Sequence, residues 1–419
     1  MLLLLCLQAS FSLKPIVIVP PMFGSRLYVD SNGFKSHWYC KKSLHDHAVW
    51  INEEYFVPPL INCLAEYLSS EWDPVNKRIT NRTNVQVHVD FFGDEKSIAY
   101  VDTGVLWHHF IPDMANVFKR LHKEGYVNKK NLFAAPYDWR LNPHAMDYFY
   151  PKLRELIENA YNLNGQQKVA IFSYSAGGLA TYTFLTKFVD QEWKDKYIDR
   201  VVFGDASIGG SMEAFEVMYT QEFSILPKLY QTESFKKFLH STPTLFSHLP
   251  SSKINTEPVI YGPNGQKFYA SEVPELMVKL GKLPEEYVPI LYAANPVINM
   301  DFPDPGVNSY FIYNCPLNTL KAVQIDDWST NKYTPIYSKG DGTIIEDALK
   351  FGCSKWKSEN HATVCHDLNI ADDKYSHLYL LTKPEFIELA ISTINENDWI
   401  VKGTHNITGP TKSTWNNIK

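Results

Sequence analysis

The chain has 419 residues and a formal net charge of −6, with 45% hydrophobic and 14% aromatic content. That is enough apolar material for a large core, and it excludes a disordered chain. There is no basic block and no zinc-finger spacing, which excludes the usual nucleic-acid binders.

The first residues, MLLLLCLQASFS, are apolar from Leu2 to Leu7 and then small and polar. They read as a short secretory signal over residues 1–12, cut after Ser12, although a basic n-region is missing. No later run of about 20 apolar residues follows, so no membrane span is expected. Two sequons, Asn81-Arg82-Thr83 and Asn406-Ile407-Thr408, fit a secretory route with glycosylation at Asn81 and Asn406. The expected destination is secretion or a lysosome-like compartment. Of six cysteines, Cys6 would leave with the signal. The other five allow at most two disulfides and leave one thiol free. No CxxC pair occurs, so neither a metal site nor a cofactor is expected.

Residues Pro15 to Pro20, PIVIVP, predict a buried strand closed by a turn, with a loop over Pro21 to Ser25. Lys168 to Phe172 and Arg200 to Gly204 predict two more buried strands. A helical pattern runs between them from Gly178 to about Val189. Further strands are expected near Tyr310 to Tyr313 and around Cys365. Pro384 to Ile394 predict a closing helix that begins with proline in its first turn. Strands alternating with helices imply a mostly parallel sheet covered on both faces, the α/β class. Residues 13–210 and 303–400 make up this core. Two stretches break the alternation. Residues 38–92, bracketed early by Cys40 and Cys63, read as a lipid-facing insertion. Residues 211–302, rich in aromatics and prolines, read as a cap over the site.

Residues 173–178, Ser-Tyr-Ser-Ala-Gly-Gly, follow a strand and open a helix, the context of a nucleophile elbow and of an α/β-hydrolase. Such a turn needs small residues two before and two after the nucleophile. Ser175 has Ser173 and Gly177 there. The rival Ser173 has the β-branched Ile171, which would crowd the turn. Ser175 is therefore the candidate nucleophile. A serine hydroxyl needs a general base oriented by an acid, in the chain order Ser, Asp or Glu, His. Asp341, between Gly340 and Gly342, is the candidate acid, in a turn expected to follow a strand and to expose the carboxylate. Of the 14 histidines, His377 stands just before the closing helix and is the candidate base. His361 and His366 fall around the last strand, and His405 comes too late. The oxyanion donors should be the backbone N–H of Ala176 and one near Met22 or Phe23.

At this point the residues resemble a known family, that of lecithin:cholesterol acyltransferase with its lysosomal phospholipase A branch. The likeness runs from about Pro15 to about Ile394. Ala135-Pro136-Tyr137-Asp138-Trp139-Arg140 is its most specific match. Pro20 to Leu27 resembles the family's opening loop, Trp38 to Lys42 and Pro58 to Cys63 the ends of its lipid-binding insertion. Trp193 to Ile198 and Gly340-Asp341-Gly342-Thr343 match as well. The resemblance implies an α/β-hydrolase fold and the triad Ser175, Asp341 and His377, with Met22 and Ala176 as oxyanion donors. It implies a Cys40–Cys63 disulfide across a loop that presents Trp50, Tyr55, Phe56, Leu60 and Ile61 to a membrane or lipoprotein surface. It implies an acyl-Ser175 intermediate drawn from a glycerophospholipid, with water or a lipid alcohol as acceptor. A neutral lipase or esterase, or a catalytically dead lipid-binding relative, are the alternatives.

The departures are specific. The elbow carries Tyr174 where the family has His, and Ser173 where a glycine is usual. The opening Pro-Gly is Pro20-Pro21. The family's Ala-Pro-Trp-Gly-Gly is Ala206-Ser207-Ile208-Gly209-Gly210. The second cysteine pair keeps Cys353 but has Phe311 at the partner position, leaving Cys315 or Cys365 to pair with it. Asp138-Trp139-Arg140 is read as structural, since buried Arg–Asp pairs hold loops in place.

Overall fold

The computed structural model describes residues 13–102, 114–223 and 227–395. The signal expected over residues 1–12 and the sequon at Asn406 lie outside the described residues.

Six parallel strands form the central sheet: β1 (Ile16–Val19), β2 (Leu132–Ala134), β3 (Val169–Tyr174), β4 (Ile198–Gly204), β5 (Ser309–Tyr313) and β6 (Thr363–Asp367). Their order across the sheet is β6-β5-β4-β3-β1-β2. β1 and β3 are buried along their whole length, as strands of a parallel sheet covered on both faces must be. Side chains alternate between the faces. Val17, Val19, Ile171, Val201 and Phe203 pack with the helix Phe149–Leu163. Ile16, Ile18, Ala170, Phe172 and Val202 pack with the helices Ala115–Lys123 and Pro384–Asn395. β2 has only three residues, too short for periodicity to reveal, and it enters the sheet through pairing with β1.

A second sheet carries the approach to Asp341. Thr334–Gly340 pairs antiparallel with Leu317–Gln324, which continues through Ile260–Tyr261 to Lys267–Phe268. The strand before the acid is therefore not part of the central sheet. The described residues of 211–302 otherwise form short helices and loops, and these short strands knit them to the rest.

The insertion is more integrated than its sequence suggests. Leu27–Ser31 sits between Leu44–Trp50 and Val85–His88 in a three-stranded sheet. Cys40 and Cys63 are bonded, tying this sheet's approach to the helix Ile61–Leu68. Trp50, Tyr55, Phe56 and Ile61 are all buried, which corrects the expectation that these four face a lipid surface; Leu60 is half-buried. The physical reason is local: Trp50 Nε1 donates to the Phe23 carbonyl at 2.9 Å, and its ring packs on Phe23 and Trp139. Phe56 packs edge-on against Tyr230. The second disulfide joins Cys353 to Cys365 on β6, and among the described residues Cys315 is the free thiol, buried. Asn81 is half-buried, and its side-chain oxygen accepts from Arg140 Nη2 at 2.8 Å.

Arg140 is 1% exposed and joins three parts of the molecule. Its guanidinium grips Asp138 through Nε–Oδ1 at 2.8 Å and Nη2–Oδ2 at 2.5 Å. Nη1 donates to the Leu68 carbonyl at 2.9 Å, and the Arg140 carbonyl accepts from the Thr244 N–H at 3.0 Å. Arg140→Ala leaves a buried carboxylate uncompensated. It should cost about 3–5 kcal/mol of stability, measured as a lowered urea midpoint at unchanged slope. A loss within the noise would show that water already compensates the pair.

Candidate active site

Ser175 stands between β3 and the helix Ala176–Thr183 with φ 52° and ψ −123°. A residue with a side chain adopts this left-handed region only under strain, held by what surrounds it. Gly177 explains part of the hold. A Cβ there would meet the Pro20 carbonyl oxygen at 2.3 Å, so only glycine lets the helix start against the end of β1. Ser173 lies inside β3, fully buried, which removes it as a rival nucleophile.

Asp341 follows Thr334–Gly340, and its turn closes through Gly342 at φ 96°. The carboxylate is fully buried rather than exposed. Burial is offset by hydrogen bonds: Oδ1 accepts from the N–H groups of Thr343 at 2.8 Å and Ile344 at 2.6 Å. His377 lies on the segment before the closing helix. Its own N–H donates to the Asp341 carbonyl at 2.8 Å. Asn314, just past β5, donates to the Tyr375 carbonyl at 3.0 Å and steadies that segment.

The three side chains form one line. His377 Nδ1 is 2.8 Å from Asp341 Oδ2, and Nε2 is 2.8 Å from Ser175 Oγ. With Asp341 taking the Nδ1 hydrogen, Nε2 of the neutral imidazole accepts from the hydroxyl. Ala176 is the first helical residue, so its N–H has no intrahelical acceptor. Met22 sits in the loop after β1, next to Phe23, whose carbonyl Trp50 holds.

Further titratable groups surround this line, and sequence reading missed them. Asp205 follows β4 directly, with Oδ2 3.8 Å from His377 Nδ1. Tyr174, one residue before Ser175, reaches both Asp205 and the His377 carbonyl. Glu213 stands in the first turn of the helix Met212–Thr220. His248 Nδ1 donates to the Thr244 carbonyl at 2.7 Å, so Nε2 accepts from Ser207 Oγ at 2.9 Å. Asp205 was legible in principle, since carboxyl ends of parallel strands are where such sites gather.

Burial lowers the pKa of His377, but the Asp341 charge and its hydrogen bond to Nδ1 lead the opposing effects and hold the imidazole up at about 9. Burial, helped by Asp341, pushes Glu213 up to about 7. Burial pulls His248 down.

Residues 45–272 match the family model for lecithin:cholesterol acyltransferase, more than half of the 419 residues. The chain belongs to the lecithin:cholesterol acyltransferase family. Phosphatidylcholine-sterol acyltransferase of Mus musculus is 26% identical over 361 residues, covering 85% of this chain and 80% of that one. Lysosomal phospholipase A and acyltransferase of Homo sapiens is 24% identical over 392 residues, covering 88% and 89%. Lecithin-cholesterol acyltransferase-like 1 of Arabidopsis thaliana is 25% identical over 362 residues, covering 81% and 82%. This family member is an enzyme of the acyltransferase and phospholipase type on an α/β-hydrolase fold.

The electrostatics give a direct test. In histidine-labelled protein, one imidazole resonance should titrate well above the ordinary value of about 6.5. It should be absent in His377→Gln and move down in Asp341→Asn. If the His377 resonance titrates at or below the ordinary value, the carboxylates do not hold the proton as described.

Proposed function

We propose that this protein takes an acyl group from a glycerophospholipid through an ester on Ser175 and passes it to water or to a lipid alcohol. The observation that carries the reading is the buried line from Asp341 through His377 to Ser175 Oγ, with both links at 2.8 Å. Ser175 Oγ attacks the ester carbonyl carbon while His377 Nε2 takes its proton. The negative charge on the carbonyl oxygen is met by the N–H groups of Ala176 and Met22. The tetrahedral intermediate collapses, and His377 gives the proton to the departing lysolipid oxygen. In the second half His377 deprotonates the acceptor hydroxyl, which attacks the acyl-Ser175 carbonyl. The ester to Ser175 breaks, and the proton returns to Ser175 Oγ. Water as acceptor releases a fatty acid; a sterol or other lipid alcohol leaves as an ester.

The phospholipid substrate requires docking on a membrane or lipoprotein surface. With Trp50, Tyr55, Phe56 and Ile61 in the core, the reading moves this role to the outer side of the insertion. Trp38 is 90% exposed beside the Cys40–Cys63 bridge, and Val57 is exposed on the same insertion. Leu229 is exposed next to Tyr230, on which Phe56 packs. Apolar side chains in such places gain free energy by entering the lipid interface. A secretory route is part of the reading, supported by two disulfides, which persist in oxidising compartments.

The decisive assay uses phosphatidylcholine liposomes containing a sterol. The wild type should form lysolipid with fatty acid or sterol ester, and Ser175→Ala should form neither while still binding liposomes. Turnover by Ser175→Ala above the uncatalysed rate sinks the assignment. Trp38→Ser should weaken liposome partition by severalfold and leave hydrolysis of a soluble ester unchanged. Equal partition would mean that the lipid-facing surface lies elsewhere.

A further inference from the structure

Asp205 is the fully buried acid that the reaction as described does not use. It comes at the carboxyl end of β4 with φ 38°, and its N–H donates to the Ile312 carbonyl on β5 at 3.0 Å. Two strands of the central sheet thus aim it at the site. Its Oδ2 is 3.8 Å from His377 Nδ1, the nitrogen that Asp341 Oδ2 holds at 2.8 Å. Nδ1 carries a single hydrogen, and Asp341 receives it.

The protons can be counted at Tyr174. Its phenol oxygen is 2.6 Å from the His377 carbonyl oxygen and 3.1 Å from Asp205 Oδ2. A phenol has one hydrogen, and a carbonyl oxygen only accepts. The Tyr174 hydrogen therefore goes to His377, over the shorter distance. The second oxygen–oxygen contact closes as a hydrogen bond only if Asp205 brings its own proton. Electrostatics agree: burial first, and then the charge of Asp341, raise the carboxyl well above the usual range, against the pull of His377, Tyr174 and the Asn314 backbone N–H. The remaining groups that face His377 are Glu213 and His248.

We propose that Asp205 is a second, protonated acid of this site, which holds Tyr174 on the His377 backbone and becomes the carboxylate partner of His377 when the charge of Asp341 is lost. In the intact protein the proton stays on Asp205 and is donated to Tyr174 Oη. Without Asp341 the like charge that opposed ionisation is gone, the proton leaves to solvent, and the carboxylate faces Nδ1. Asp205 is thus a positioning residue in the wild type. The proposal rests on Ser175, His377 and Asp341 acting as described above.

The test compares wild type, Asp205→Asn, Asp341→Asn, the double variant and Ser175→Ala on a soluble p-nitrophenyl ester across pH. Asparagine keeps an N–H donor for Tyr174 but has no proton to lose. A triad deprived of its only acid loses about 10⁴-fold. Here Asp341→Asn should lose only about 10²-fold, with its residual rate rising as Asp205 ionises. Adding Asp205→Asn should remove that pH limb and at least about a further tenfold of rate, more than the same change costs in the wild type. Equal cost in both backgrounds, or a full loss in Asp341→Asn alone, overturns the proposal and leaves the triad standing. Undiminished turnover by Ser175→Ala overturns both. Infrared spectra provide a readout free of activity and of the double variant's folding. At a pH above the Glu213 transition, a protonated-carboxyl C=O band should be present in the wild type and lost in Asp205→Asn; its absence from the wild type also refutes the proposal.

Discussion

Much of this molecule is organised around one buried ion pair. Asp138 and Arg140 sit two residues apart just past β2, and the guanidinium spends its remaining donors on Leu68 and Asn81 of the insertion. The Arg140 carbonyl takes the N–H of Thr244 from the helical stretch beyond residue 211. Between them, Trp139 Nε1 donates to the Ser25 carbonyl, and the Tyr137 N–H donates to Ser25 Oγ. A pair taken this far out of water is tolerable only when nearly every donor and acceptor is met. Meeting them makes the core, the insertion and the helices beyond residue 211 converge on one motif, and it anchors the loop that carries Met22.

The parallel sheet does the rest of the positioning. The ends of β1, β3, β4 and β5 lie side by side, so residues far apart in sequence arrive together: Met22, Ser175, Asp205 and Asn314. Asp341 comes by a different path, from an antiparallel sheet whose other strands include two short ones from residues 211–302. The acid is therefore coupled to the stretch 211–302 through strand pairing, which gives movement there a hydrogen-bonded route to the imidazole. The three carboxyls around His377 also differ in their surroundings. Asp341 receives two backbone N–H groups, whereas Asp205 meets a phenol and Glu213 is pushed up to about 7 mainly by burial. The same side-chain chemistry is tuned by which donors each oxygen meets.

The insertion shows how apolar sequence misleads. Trp50, Tyr55, Phe56 and Ile61 stand in a disulfide-bracketed loop, a setting equally suited to a lipid surface and to a core. Trp50 instead closes over Phe23 and Trp139, and so supports the loop after β1 rather than a bilayer contact. Exposure falls to Trp38 and Val57, which periodicity does not distinguish from their neighbours.

By itself the sequence determined the features written in local chemistry. A small-residue turn between a strand and a helix singled out Ser175; glycines around Asp341 and the position of His377 before the last helix singled out the other two. All three meet within hydrogen-bond distance, although only Ser175 stands at the end of a central-sheet strand and Asp341 arrives from the antiparallel sheet. The continuous β-branched runs likewise announced β1, β3 and β4. Only the tertiary structure decided that Asp341 is buried, that Cys353 joins Cys365, that β2 belongs to the sheet, and that Asp205 and Tyr174 share the site. Each of these depends on which distant residues come to lie against a side chain, and the same short pattern is compatible with water, lipid or protein on its other side until the chain has closed.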